Sequence, residues 1–134
     1  MSERRKDEEL AERLLQFAVR IIQLCSELPR NTAGYHVCQQ LLASGTSPGA
    51  NYEEARGAQS LADFISKISI VLKELKESRY WLNVILNVPL LKPERVLPLF
   101  RECEELIAII GKSLSTARQS KKRALAASPT KSLQ

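Results

Sequence analysis

Histidine and tryptophan each occur once in 134 residues, and cysteine occurs three times. With His36 as the only histidine, the di-iron type of helical bundle is excluded, because it needs paired Glu-x-x-His motifs. Cys25, Cys38 and Cys103 are an odd set at wide spacings without a C-x-x-C pair. That inventory argues against a zinc site and against a disulfide framework. Each cysteine falls in an apolar helical stripe, so the expectation is buried thiols in a reducing compartment. No apolar run approaches the ~18–20 residues of a membrane span, and residues 1–9 are too polar for a signal peptide. A cytoplasmic protein with no membrane contact, no metal and no cofactor is expected. Strand-type alternation is also missing throughout, which leaves an all-α fold.

Acidic residues are missing from one end of the chain. The 20 basic and 15 acidic residues give +5, but no acid follows Lys112, whereas six bases do or stand there: Lys112, Arg118, Lys121, Lys122, Arg123 and Lys131. The preceding body therefore carries 14 bases against 15 acids, a balance of −1, and the terminal segment carries +6. A concentrated positive segment suits a polyanion. On this segment alone a solvated helix end stands slightly ahead, since cations complement the dipole there.

What is present is helical periodicity, in four segments. Leu10, Leu14, Phe17, Ile21, Leu24 and Leu28 alternate spacings of four and three, so they share one helix face. Pro29 ends this segment, and Pro29–Gly34 reads as a turn. The second segment runs from about Tyr35 to Arg56, with Val37, Cys38, Leu41 and Leu42 on one side. Pro48 within it predicts a kink or an interruption, and Gly45 and Gly49 would let helix backbones approach. Ser60 followed by Asp63 predicts the cap of a third helix. Its apolar stripe reads Leu61, Ile65, Ile68, Leu72, Leu75, Leu82 and Leu86, interrupted by Arg79. The fourth aligns Val96, Phe100, Cys103, Ile107, Ile110, Leu114 and Ala117, with Pro98 in its first turn. Four helices with short breaks predict an up-down-up-down four-helix bundle over residues 1–117. Residues 118–134 lose periodicity and read as a basic tail that frays into disorder. Trp81 on the mixed face of helix three, and Leu99, Leu106 and Ile109 beside the stripe of helix four, exceed what one bundle can bury. They predict contact with further copies of the chain.

Catalytic chemistry finds little footing. Gly45-Thr-Ser-Pro-Gly49 fits the G-x-S-x-G of a hydrolase elbow, but that motif needs a strand-to-helix turn and a later histidine. Here a helix precedes it, no sheet exists, and His36 lies upstream, so Ser47 is not expected to act as a nucleophile. The same glycines lack the Lys-Ser/Thr of a phosphate loop. His36, beside Tyr35 near a helix start, reads as a surface or capping residue. Tyr80-Trp81 reads as packing or a subunit contact rather than a base-stacking pair.

The run Ser47-Pro-Gly-Ala-Asn51-Tyr-Glu-Glu-Ala55, then Ser60-Leu-Ala-Asp-Phe64, Lys67, and Lys73-Glu-Leu-Lys-Glu77 with Tyr80-Trp-Leu82, resembles a known family. It is the four-helix-bundle family encoded by intervening sequences of bacterial large-subunit ribosomal RNA genes. The accessory variability protein of diversity-generating retroelements is similar at a greater distance. The resemblance spans roughly Phe17–Leu114. It implies up-down bundles assembled into homopentameric rings, no enzymatic activity, and Asn51, Glu54, Asp63, Lys67, Glu74 and Glu77 as family positions. Those six either bind something or hold helices two and three together. The retroelement relative implies a basic surface that meets nucleic acid and a reverse transcriptase.

The expected protein is thus non-enzymatic and homo-oligomeric, binding RNA or DNA backbone through Lys112, Arg118, Lys121, Lys122 and Arg123. The alternative is a protein-interaction adaptor, for example an accessory partner of a nucleic-acid enzyme, with the basic tail serving solubility.

Overall fold

In the computed structural model, residues 2–127 are described, and they form four α-helices with no strand among them. They are α1 (Glu3–Cys25), α2 (Thr32–Arg56), α3 (Leu61–Asn87) and α4 (Pro93–Ala127). Each start has a local cause. Ser2, Asn31 and Ser60 stand in extended backbone, and their side chains accept the amide protons of Arg5, Gly34 and Asp63. These bonds satisfy donors that a first helical turn leaves without partners. Pro93 opens α4, where its missing N–H removes only an unpaired donor.

Neighbours run antiparallel. In α1 and α2, Ile21 meets Gly45 while Leu14 meets Gly49. Ser44 meets Ser78 and Glu54 meets Lys67 across α2 and α3. The Cys103 thiol donates to the Leu75 carbonyl at 3.3 Å between α4 and α3. The bundle closes where α1 meets α4, more loosely than elsewhere. Arg13 forks onto Glu102 at 2.6 and 3.0 Å there, and Arg95 reaches Glu27 at 2.8 Å near the other end. This up-down-up-down bundle is the fold that the four apolar stripes predict.

The stripe read for the first segment is buried from Leu14 to Leu28, with Leu10 half-buried, but α1 already ends at Cys25, so Leu28 packs from the turn, and α2 starts at Thr32, which takes Gly34 into the helix. Two others are rotated slightly. The centre of α3 is Ile68, Val71, Leu75, Ser78, Leu82 and Ile85, whereas Leu61 is exposed. The centre of α4 takes in Leu99 and Leu106, which are 1% and 0% exposed, and moves Phe100 and Ile107 to its margin. Leu99 and Leu106 are therefore spent on the protomer's own core and are not free for a second copy; Ile109 remains exposed.

Three local expectations are corrected. Pro48 does not interrupt α2, which runs unbroken to Arg56. The donor lost at Pro48 is outweighed by packing one turn earlier, where Ser44 is buried against α3 and Gly45 against α1. Pro98 lies in the second turn of α4, because that helix already begins at Pro93. And α4 does not fray at Arg118. Ala117 is its last buried residue, yet the helix continues to Ala127, about 15 Å further at 1.5 Å per residue. Lys, Arg, Leu and Ala dominate that stretch and are good helix formers, so periodicity can lapse while the helix persists. The remainder of the expected tail, including Lys131, lies outside the described residues.

Candidate nucleic-acid interface

The basic side chains of α4 do not share one face. At about 100° per residue, Arg118 and Lys122 lie within about 40° of each other, while Lys112 and Arg123 are turned about 80–140° away from them. Lys121 lies about 60° from Arg118 on its other side, opposite Lys112. Arg118 and Lys122 flank a groove of about 310 Å³ between α3 and α4, floored by Leu72, Gly111 and Leu114 and edged by Ser115 and Gln119. A second hollow of about 330 Å³ shares Leu72, Leu114 and Arg118 with it and adds Ser69, Lys73 and Lys76 of α3. Lys112 opens instead toward α1, into a hollow that Glu3, Asp7 and Glu9 also line. The structure thus separates Lys112 from Arg118 and Lys122 and brings Lys73 and Lys76 to them.

Pairing separates the cations further. Arg13, Arg56, Lys67 and Arg95 are all held by carboxylates. Among the described residues, Lys73, Lys76, Arg118, Lys121, Lys122 and Arg123 form no ion pair, and all are exposed. Lys73 and Lys76 escape a reading by charge run because acids interleave with them in sequence. Their shared flank of α3 is the signal that a helical projection carries.

The six family positions divide into separate contacts. Glu54 accepts from Lys67 at 2.8 Å, joining α2 to α3, and this bond holds the Lys67 ammonium above its ordinary range. Asp63 occupies the first turn of α3, its amide bound to Ser60, and its charge also favours the Lys67 cation. Asn51 stays within its own helix, donating to the Ser47 carbonyl at 3.1 Å and the Ser47 hydroxyl at 2.9 Å. Glu77 accepts from the Trp81 indole at 3.3 Å, and that ring packs edge-on to His36 and Tyr80. The Glu74 carboxyl has no partner among the described residues. Burial, then the Glu77 charge, raises its pKa, against the pull of Lys73. Asn51 and Glu54 are therefore not joined to Glu74 and Glu77 in a single network.

Ser47 lies mid-helix with its hydroxyl occupied by Asn51, and His36 is engaged with Trp81 on the same helix's first turns. This is not the strand-to-helix elbow that would expose a nucleophile. The thiols of Cys25 and Cys103 are buried, which pushes each up to about 12 and keeps both protonated near neutral pH. No His, Cys, Asp or Glu grouping of metal-binding size occurs among the described residues. None of the described helices is long and apolar enough to cross a membrane.

A family model described as 23S rRNA-intervening sequence protein matches residues 6–112. The chain belongs to the 23S rRNA-intervening sequence protein family. Among solved structures, this intervening sequence protein is similar to a protein of unknown function from the S23 ribosomal protein family of Bacteroides thetaiotaomicron VPI-5482. The two are 35% identical with a TM-score of 0.76, over 82% of this chain and 98% of the other. No functionally curated protein matches the chain. The family segment ends at residue 112, so Arg118, Lys121, Lys122 and Arg123 stand beyond it, on the continued α4 of this intervening sequence protein.

Proposed function

We propose that this chain is a non-enzymatic, homo-oligomeric bundle that binds the nucleic-acid backbone through basic side chains of α4. The observation that carries this reading is the helical extension past Ala117, which holds Arg118, Lys121, Lys122 and Arg123 exposed and without ion pairs among the described residues. A helical array of unneutralised cations can replace the counterions of a phosphate chain, and releasing those counterions drives association. Repetition strengthens the effect. The +5 of one chain becomes +25 in the five-membered ring that the family resemblance implies, a long-range field for a polyanion.

Self-association has its own support on α1. Leu15, Val19 and Ile22 recur at spacings of four and three and are 54%, 37% and 52% exposed, forming an apolar stripe opposite the core. Fluorescence anisotropy of a labelled oligonucleotide, titrated at several salt concentrations, tests the nucleic-acid reading. Binding should weaken steeply with salt and be largely lost on truncation after Ala117, the last buried residue. Absence of binding by the full chain at low salt would refute it.

One observation favours the adaptor as a second reading. Tyr80 is 60% exposed and packs edge-on to Trp81, which in turn meets His36, making an aromatic patch across α2 and α3. Exposed aromatics of this kind anchor protein partners, for example a nucleic-acid enzyme such as a reverse transcriptase. Failure of oligonucleotide binding would promote this reading.

A further inference from the structure

The openings between helices differ sharply in charge. The one between α1 and α2 sets Glu8, Glu12 and Glu53 against Arg56, and the one near Lys112 balances Glu3, Asp7 and Glu9 with Lys6, Arg13 and Lys112. The paired hollows between α3 and α4 contain four cations and no carboxylate at all. The arrangement follows from helical phase. Lys73 and Lys76 lie within about 60° of each other on α3 and line the hollow shared with α4, whereas Glu77, about 40° from Lys73 on its other side, is bound by Trp81, whose ring meets His36 of α2. On α4, Glu104 lies toward that flank about 21 Å along the axis from Arg118 at 1.5 Å per residue, and it lines neither hollow. One groove is left positive on both walls.

We infer that Lys73 and Lys76 of α3, with Arg118 and Lys122 of α4, form a single track for a phosphodiester backbone. This rests on the nucleic-acid reading above and assigns its site. Lys73 and Lys76 are about 4.5 Å apart along their helix and Arg118 and Lys122 about 6 Å, comparable with the about 3.4 Å of axis per phosphate on one strand. Two to four phosphates can therefore meet a cation at once. Ser69, Ser115 and Gln119 add hydrogen-bonding groups at the edges, and Leu72 and Leu114 floor the groove. No aromatic ring lines it. Stacking and base-edge readout therefore have no purchase, and the track takes RNA and DNA alike with little sequence preference.

The test compares full-length protein with Lys73→Gln/Lys76→Gln, using labelled RNA and DNA oligonucleotides of one sequence. Lys92→Gln/Arg101→Gln removes the same charge from exposed positions outside the groove. The α3 pair should weaken binding about tenfold or more at low salt and lower the slope of log K against log salt by about 1.4–1.8, two contacts at 0.7–0.9 each. The control pair should change affinity less than about threefold and leave the slope unaltered. Lys73→Arg/Lys76→Arg should restore binding, which separates lost contacts from lost folding. Equal effects of the α3 and control pairs, with binding still lost on truncation after Ala117, would overturn the shared track and leave the site on α4 alone. A strong preference for RNA over DNA would overturn backbone-only recognition. No binding by the unsubstituted protein would instead refute the function on which the track rests.

Discussion

Ser44 of α2 and Ser78 of α3 place their hydroxyl oxygens 3.1 Å apart, with both residues at 0% exposure. Ser78 also lies 3.0 Å from the Glu74 carbonyl. Ser78 has one proton, so Ser44 donates to Ser78 when Ser78 donates to that carbonyl. The result is a satisfied polar contact at the centre of the α2–α3 seam, where small side chains also allow close packing. Ser44→Ala or Ser78→Ala alone should cost about 1 kcal/mol, since each strands part of the pair. The double variant should cost less than the two together, because no orphaned hydroxyl remains. Chemical denaturation of the three variants checks this. Strict additivity would show the two hydroxyls to be energetically independent.

The same seam explains what the sequence made legible. On α1 every core position is large and apolar, so Leu14, Phe17, Ile21 and Leu24 could be read directly from spacing. On α3 the core axis passes through Ser78, which spacing of apolar residues ignores. The reading therefore slid toward Leu61 and Leu86 and missed Val71 and Ile85. On α4 two apolar stripes lie side by side, and periodicity alone could not say that Leu99 and Leu106 face inward. The proposed basic site was half legible. Arg118 and Lys122 stand out as part of an acid-free run, but Lys73 and Lys76 join them only through the packing of α3 against α4.

Two glycines in helix interiors should respond in opposite ways to alanine. A Cβ at Gly45 would lie 2.7 Å from both Cγ1 and Cγ2 of Ile21, itself fully buried and unable to give way. Gly45→Ala should force α1 and α2 apart and cost about 1–3 kcal/mol. A Cβ at Gly111 meets nothing within 4 Å. Gly111→Ala should gain about 0.5–1 kcal/mol by restricting the unfolded chain and improving helix propensity. Thermal melts would read a fall for the first and a rise for the second. A neutral Gly45→Ala would mean that the helices are not in close contact at that point.

Glu74 offers a test with a pH signature. Its carboxyl is held above the ordinary range chiefly by desolvation and then by Glu77. The folded state therefore favours the protonated form, so its stabilising contribution is present below the unfolded pKa and is lost as pH rises through the folded one. At neutral pH the charge is a burden. Glu74→Gln, which keeps the shape and removes the charge, should raise the melting temperature at pH 7 and have little effect near pH 4. A lower melting temperature at pH 7 would instead show Glu74 to be an engaged carboxylate.

Assembly is testable on α1 without disturbing the core. Leu15, Val19 and Ile22 point away from Leu14, Phe17, Ile21 and Leu24, and they lie along one exposed line of the same helix. Each is as apolar as its buried neighbours, so water meets a continuous stripe that a second copy could cover. The acidic groove beside Leu15, formed with α2, carries only small side chains at Ala11, Ala18, Gly49 and Ala50, leaving room for a helix to approach. Leu15 and Ile22 are already about half buried, so removing the remainder from water would contribute on the order of 1 kcal/mol each, and each contact recurs around a closed ring. Leu15→Asp/Ile22→Asp should therefore break the oligomer while leaving the bundle folded, since neither side chain enters the core. Light scattering coupled to gel filtration should give the full chain a multiple of 15.1 kDa, five-fold for the ring that the family resemblance implies, and the variant a single chain. Circular dichroism should be unchanged. A full-length protein that runs as one chain at micromolar concentration would remove the assembly, and a variant that keeps the oligomer would move the interface off α1.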